Sequence, residues 1–227
     1  MNTETENKSL GGSIWKLSAG DERTAEAIVQ QFQLPFVVAR ILASRHISPS
    51  EVNGYLNPKL QTLLPNPSVL KDMERGAERI AEAVIHKQKI GIIVDYDVDG
   101  ATSSAVMKLF LSSVGVVPEV HIPERDEGYG PSIAAVDKFK ALGVELVITT
   151  DCGTTAFEPL NYAAGQGLDV VVVDHHEAEA RLPDVYAVIN PKRLDEDNGI
   201  EYLPYLAAVG VVFLTIVAVN RALREEK

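Results

Sequence analysis

From residue 89 onward the chain repeats one unit: a short run of valine and isoleucine, a turn, then a helical stretch. The runs are IGIIVD (90–95), EVHI (119–122), ELVITTD (145–151), DVVVVD (169–174) and YAVIN (186–190), and most are apolar at successive positions. A strand with one wet face alternates apolar and polar residues, so runs like these belong to strands buried on both faces. Helices fit between them at 101–114, 131–142 and 155–166. A strand–helix–strand series of this kind gives a parallel sheet covered on both sides. The expected fold is α/β: a mainly parallel, Rossmann-like sheet flanked by helices.

Upstream the pattern changes. Residues 1 to about 20 read as a loose tail. Residues 21–56 read as short helices, with DERTAEAIVQQFQ opening on an acidic first turn and PFVVARILASRH and SPSEVNGYL following after proline punctuation. LNPKLQTLLPNPSVL, with its prolines, reads as an irregular connector. DMERGAERIAEAVIHKQK then sets Met73, Ala77, Ile80, Ala81, Val84 and Ile85 on one helical face. The expected division is a tail and helical extension over residues 1–70 and an α/β domain over 71–227.

Composition narrows the setting. A single cysteine, Cys152, excludes an internal disulfide framework. The start, MNTETENKSL, lacks the basic flank and apolar core of a secretory signal. Both predict a cytoplasmic protein. Leu203 to Val219 carries no formal charge but includes Pro204 and Gly210; it reads as a buried helix covering the sheet and not as a membrane span. A net charge of -11 argues against a surface that attracts nucleic acid throughout. Carboxylates gathered around bound cations would reverse that sign locally.

The acidic residues have telling positions. Asp95, Asp151 and Asp174 each end a predicted strand, and ligands of open parallel sheets bind at the carboxyl ends of strands. DYDVDG (95–100) adds Asp97 and Asp99, three carboxylates that repel one another unless a cation sits among them. An EF-hand loop would need a glutamate where Val106 stands, and a helix in front. Phosphatases of the haloacid dehalogenase type also place D-x-D after a strand, but normally have threonine or valine where Asp99 stands. VVVVDHHEAE (170–179) brings His175 and His176 beside Asp174, and imidazoles next to carboxylates suit manganese or another borderline divalent ion. Without an ion, such crowding should raise some of the carboxylate pKa values.

With DYDVDGATS, TTDCG (149–153), DHH (174–176) and LAAVGVVF (206–213) in this order, the chain resembles the DHH phosphoesterases, and among them the bacterial single-strand exonucleases. HIPERDEGYGPS (121–132), ARILASRHI and YLNPKL extend the resemblance over almost the whole chain. Val94 and Ala208 stand where that branch often has glycine, and the loop after Arg125 is one residue shorter than usual.

The resemblance implies two divalent ions, Mn2+ or Mg2+, held by Asp97, Asp99, Asp151 and His175, with Asp151 placed to bridge. Asp95, Asp174 and His176 would be catalytic supports that fix orientation. Water activated by the ions would attack the phosphodiester in line, with no covalent enzyme intermediate. The implied substrate is single-stranded DNA, degraded from its 5′ end in recombination and repair, with a helicase or a single-strand-binding protein as candidate partners. Arg125 and Tyr129 are candidate substrate contacts, to phosphate and base respectively; a loop ion pair and a packed tyrosine are an equally open reading. Other DHH enzymes hydrolyse pyrophosphate, short oligonucleotides or cyclic dinucleotides, and degenerate relatives are non-catalytic replication scaffolds. The helical amino terminus and the EGYG segment favour the exonuclease branch, and the intact ligand set disfavours a scaffold. The resemblance also predicts that this chain is an amino-terminal portion. It would lack a further metal-binding aspartate in a segment resembling ALGTxADVVPL, together with the DHHA1 and OB domains, and be weak or inactive as a nuclease by itself.

Overall fold

The computed structural model describes residues 9–14, 21–197 and 199–225, so most of the expected tail lies outside the described residues. The chain divides into two units, Met1–Leu64 and Pro65–Lys227. Residues 65–70, read from the sequence as part of the extension, therefore belong to the second unit. Arg221 there donates to Asn66 Oδ1 at 3.1 Å and to Ser68 Oγ at 2.6 Å.

The first unit is a small helical cluster of α1 (Glu22–Phe32), α2 (Phe36–Ser44), α3 (Val52–Leu56) and α4 (Leu60–Leu63). Asp21 caps α1, its carboxylate accepting from the Arg23 amide at 3.0 Å and the Thr24 hydroxyl at 2.5 Å. Ala25, Ile28, Ala39, Leu42, Ala43 and Val52 form its core. The connector expected to be irregular contains two short helical turns: α4, which fits between Pro58 and Pro65 because neither proline falls inside it, and a 3-10 turn over Pro67–Val69.

The second unit starts with α5 (Met73–Ile85) and continues as β1 (Ile90–Val94), α6 (Val98–Ser113), β2 (Glu119–His121), α7 (Ile133–Ala141), β3 (Leu146–Thr150), α8 (Phe157–Gly165), β4 (Asp169–Val173), β5 (Ala187–Ile189) and α9 (Ala208–Glu225). The five strands are all parallel, in the order β2-β1-β3-β4-β5. Every residue of β1 and β3 is buried, as their unbroken apolar runs require. Phe139 of α7 and Leu160 of α8 pack on one face against Ile93, Val147, Val170 and Val172. On the other, Gly76 of α5 lies so close to Val171 and Ile189 that an added Cβ would be 2.9 Å from Ile189 Cδ1. Each fully buried valine, leucine or isoleucine contributes about 1.5–3 kcal/mol, so these two layers carry most of the stability.

The chain leaves β1 toward β2 on one side and returns to β3 on the other. The strand order reverses between β1 and β3, and in open parallel sheets ligands bind outside the carboxyl ends at such a reversal.

Two expected boundaries and one helix face differ. α6 begins at Val98 instead of residue 101 because Asp97 caps it, accepting from the Gly100 amide at 2.9 Å. The helix expected over 203–219 is split: Leu203–Tyr205 is a 3-10 turn, Leu206 is extended, and α9 runs from Ala208 to Glu225. On α5, Ile85 is 46% exposed and Ala83 is buried in its place, so the apolar face turns away from Ile85 before the helix ends. Among the described residues no helix is long and apolar enough to cross a membrane.

Candidate metal centre

Strand register sets the site. Val94 pairs with Thr150, and Thr150 with Val173, so the next residues, Asp95, Asp151 and Asp174, lie level on three adjacent strand ends. The turn into α6 then brings Asp97 and Asp99 over the same edge. Gly100 makes this turn possible: a Cβ there would lie 2.3 Å from the Asp95 carbonyl oxygen, so only glycine fits.

Asp151 is at the centre. It is 1% exposed, sits in the left-handed region at φ 62, and neither carboxylate oxygen finds a donor. Burial, reinforced by the charges of Asp99 and Asp97, pushes its pKa up to about 8. A buried carboxylate without donors in strained backbone is a costly arrangement that a cation would relieve. Among the described residues, Asp151 belongs to both groups of side chains close enough to hold a metal ion, Asp151 with His175 and His176, and Asp151 with Asp95 and Asp97. Burial likewise raises Asp95. Asp97 is lowered, first by the Gly100 amide and then, against burial, by a proton that a protonated Asp151 can donate to it. Cys152, the next residue, is fully buried beneath the site with its thiol toward the Ile93 and Thr150 carbonyls.

Asp174 is also buried, 1% exposed, but its surroundings are the opposite. Its carboxylate accepts from the amides of Thr154 at 3.0 Å, His175 at 2.7 Å and His176 at 3.3 Å, and from His176 Nδ1 at 2.8 Å. Burial alone would raise its pKa; the hydrogen bonds from His176 and Thr154 overcome that and hold it at about 2. The same hydrogen bond raises His176. Beyond His176, Tyr129 donates to the Asp151 carbonyl at 3.1 Å, and its oxygen lies 3.1 Å from His176 Nε2. An imidazolium at His176 satisfies the whole chain, Asp174 to His176 to Tyr129 to the Asp151 main chain. Burial and the neighbouring carboxylates raise the Tyr129 phenol, keeping it a donor.

His175 is oriented from the other side. Its Nδ1 donates to the Leu206 carbonyl at 2.9 Å, which leaves Nε2 of the neutral ring as an acceptor. That nitrogen faces Asp151 Oδ1 at 3.3 Å and Asp99 Oδ2 at 3.5 Å. His175 Nε2 and the carboxylates of Asp151 and Asp99 thus converge on one point.

All the acidic and imidazole residues singled out from the sequence thus meet at one edge. Tyr129 is woven into the site by its hydroxyl, although the residue as a whole is 53% exposed. Arg125 stands apart, its guanidinium over the Tyr96 ring at 5.0 Å from the centroid. The sequence reading missed Asn190 and Thr154. Asn190, fully buried at the end of β5, donates to Thr154 Oγ1 at 2.8 Å and to the His176 carbonyl at 2.9 Å. Its position at a strand end, like that of the aspartates, was the available signal.

An α/β domain with carboxylates and imidazoles able to hold divalent ions at its strand-order reversal is the class that this fold and site define. The chain belongs to the DHH family: the model of the family's N-terminal domain matches residues 89–227. The single-stranded-DNA-specific exonuclease RecJ of Bacillus subtilis (strain 168) is 35% identical over 202 residues, 88% of this chain and 25% of that protein. Among solved structures, RecJ in complex with Mn2+ from Thermus thermophilus superimposes with a TM-score of 0.71 at 25% identity, covering 92% of this chain and 28% of that one. An exonuclease RecJ bound to manganese gives a TM-score of 0.60 at 30% identity over 68% of this chain and 38% of that one. The chain spans about a quarter to a third of the length of the curated relatives it matches.

Proposed function

We propose that this domain is the metal-binding domain of a nuclease that hydrolyses single-stranded DNA from its 5′ end, using two divalent ions, Mn2+ or Mg2+. The observation that carries the reading is Asp151, buried, without a donor on either oxygen, and shared by both candidate ligand groups. The RecJ relatives and their manganese-bound structures support the choice of metal and substrate.

In this reading Asp97, Asp99, Asp151 and His175 would hold the ions, Asp151 being the residue common to both candidate ligand groups. Bound divalent ions supply Lewis-acid activation of water and neutralise charge on the phosphate. The chain's own residues do the rest. Asp95 contributes negative charge beside Asp97, and Asp174 locks the loop that carries both histidines. His176 holds a proton on Nε2 and keeps Tyr129 pointed at the Asp151 carbonyl, fixing the backbone from which the bridging carboxylate projects. Arg125 is offered to a phosphate, and the exposed ring of Tyr129 to a base. The reading carries with it a cytoplasmic role in DNA recombination and repair, beside a helicase or a single-strand-binding protein.

The test is release of mononucleotides by the 227-residue chain in Mn2+ from 5′-labelled single strands, duplexes, cyclic dinucleotides and pyrophosphate. Turnover by this chain is expected to be weak, and what there is should fall on the single strands, from the labelled end, while the other three are spared. Preference for cyclic dinucleotides or pyrophosphate would move the protein to another branch of the family.

A further inference from the structure

The start of α9 closes the third side of the site, and it does so with main-chain groups. Leu206, extended at φ -66 and ψ 138, turns its carbonyl to His175 Nδ1 at 2.9 Å. Two residues on, the amides of Ala208 and Val209 donate to Asp99 Oδ2 at 2.7 Å and Oδ1 at 3.1 Å. These are first-turn amides, for which a helix has no internal acceptor, and Asp99 satisfies both from 109 residues away in sequence.

The segment is itself held firmly. Ala208, Val211, Val212, Leu214, Thr215, Ala218 and Val219 bury one side of α9. Gly210 leaves room for Leu206 to fold back, since a Cβ there would be 3.3 Å from Leu206 Cδ2. Two side chains that reach the site after β1 and after β4, on either side of β3, are therefore fixed by one rigid piece of backbone.

We propose that residues 206–209 form a positioning clasp for the metal centre. The Leu206 carbonyl fixes the tautomer and plane of His175, while the Ala208 and Val209 amides fix both oxygens of Asp99, so the two donors present themselves together to one ion. This rests on the two-ion reading above. A free aspartate would lose rotamer freedom on binding the ion; here that freedom is already lost on folding. The partial positive charge of the helix start also attracts the carboxylate to this place. Loss of an outer partner of a metal ligand typically weakens metal binding about 10–100-fold.

Ala208→Pro tests the clasp. Proline removes the shorter of the two donors, and its fixed φ suits the first position of a helix. Mn2+ uptake by the 227-residue chain, followed through the paramagnetic resonance of the free ion, is expected to weaken roughly tenfold in Ala208→Pro. The metal-free melting temperature should stay close to that of the parent. Ala208→Gly, which keeps the amide, separates loss of the hydrogen bond from loss of the side chain and should retain clearly more Mn2+ affinity than Ala208→Pro. Equal affinity in parent and proline variant overturns the clasp alone. A parent that takes up no Mn2+ overturns the metal reading and the clasp with it. Should the proline variant not fold, the parent decides: Mg2+ is expected to shift the Ala208 and Val209 amide resonances, and unmoved resonances in a chain that binds Mg2+ overturn the proposal.

Discussion

Asp151→Asn should melt several degrees higher than the parent at pH 8 without metal, and should gain nothing from Mn2+. The pKa of Asp151 is pushed from 3.8 to about 8 in the folded chain, so the native state holds a proton that the unfolded chain gives up. Stability supplied by this group is therefore unchanged below about pH 4 and falls as pH rises from there to about 8. At about 1.36 kcal/mol per unit the whole window is worth about 6 kcal/mol as a ceiling, which for a domain of this size is on the order of 10 °C. Asparagine cannot ionise, so it escapes the penalty, and it cannot neutralise a divalent ion. Thermal melts of both proteins at pH 5 and pH 8, with and without Mn2+, check this. A parent whose metal-free melting point does not fall between the two pH values, or a variant stabilised by Mn2+ as much as the parent, would show that Asp151 is not the bridging ligand.

Asp174→Ala should do the reverse, destabilising the chain by about 3–5 kcal/mol whether or not metal is present. The two aspartates are equally buried, but Asp174 answers the amides of Thr154, His175 and His176 and the His176 ring. Its removal leaves buried donors and an imidazole without their acceptor. Its pKa of about 2 lies below the ordinary 3.8, so its stabilisation is present above about pH 4 and is lost as pH falls toward 2. Asp174→Asn keeps an acceptor oxygen and should recover part of the loss. Urea denaturation of the three proteins at pH 7 and pH 3 measures this. An alanine variant as stable as the parent at pH 7 would mean that Asp174 supports neither histidine.

The contrast between these residues also marks what the sequence could tell. The strands were legible because both-face burial demands unbroken apolar runs. The carboxylates were legible because they terminate those runs. What made one aspartate a bare carboxylate and the other a saturated acceptor was not legible, since it depends on which amides the turns present. Asp97 as a helix cap shifted the start of α6 by a turn that no apolar pattern records. The break at Leu206 was hidden inside an uncharged stretch, because its cause is the pair of polar groups it meets, Asp99 and His175. Thr154 and Asn190 passed unnoticed because a polar residue near a strand end reads the same whether it faces water or a buried histidine loop.

Cys152 gives the molecule a built-in clock. It is the only thiol in the chain, fully buried directly after Asp151, and its neighbours, burial first and then the carboxylates, push its pKa upward. A reagent that attacks thiolates has to wait until the ends of β1 and β3 part and water reaches the sulfur. The rate of alkylation therefore counts how often the floor of the site opens, and slower labelling in Mn2+ would register the ion without any nucleic acid present.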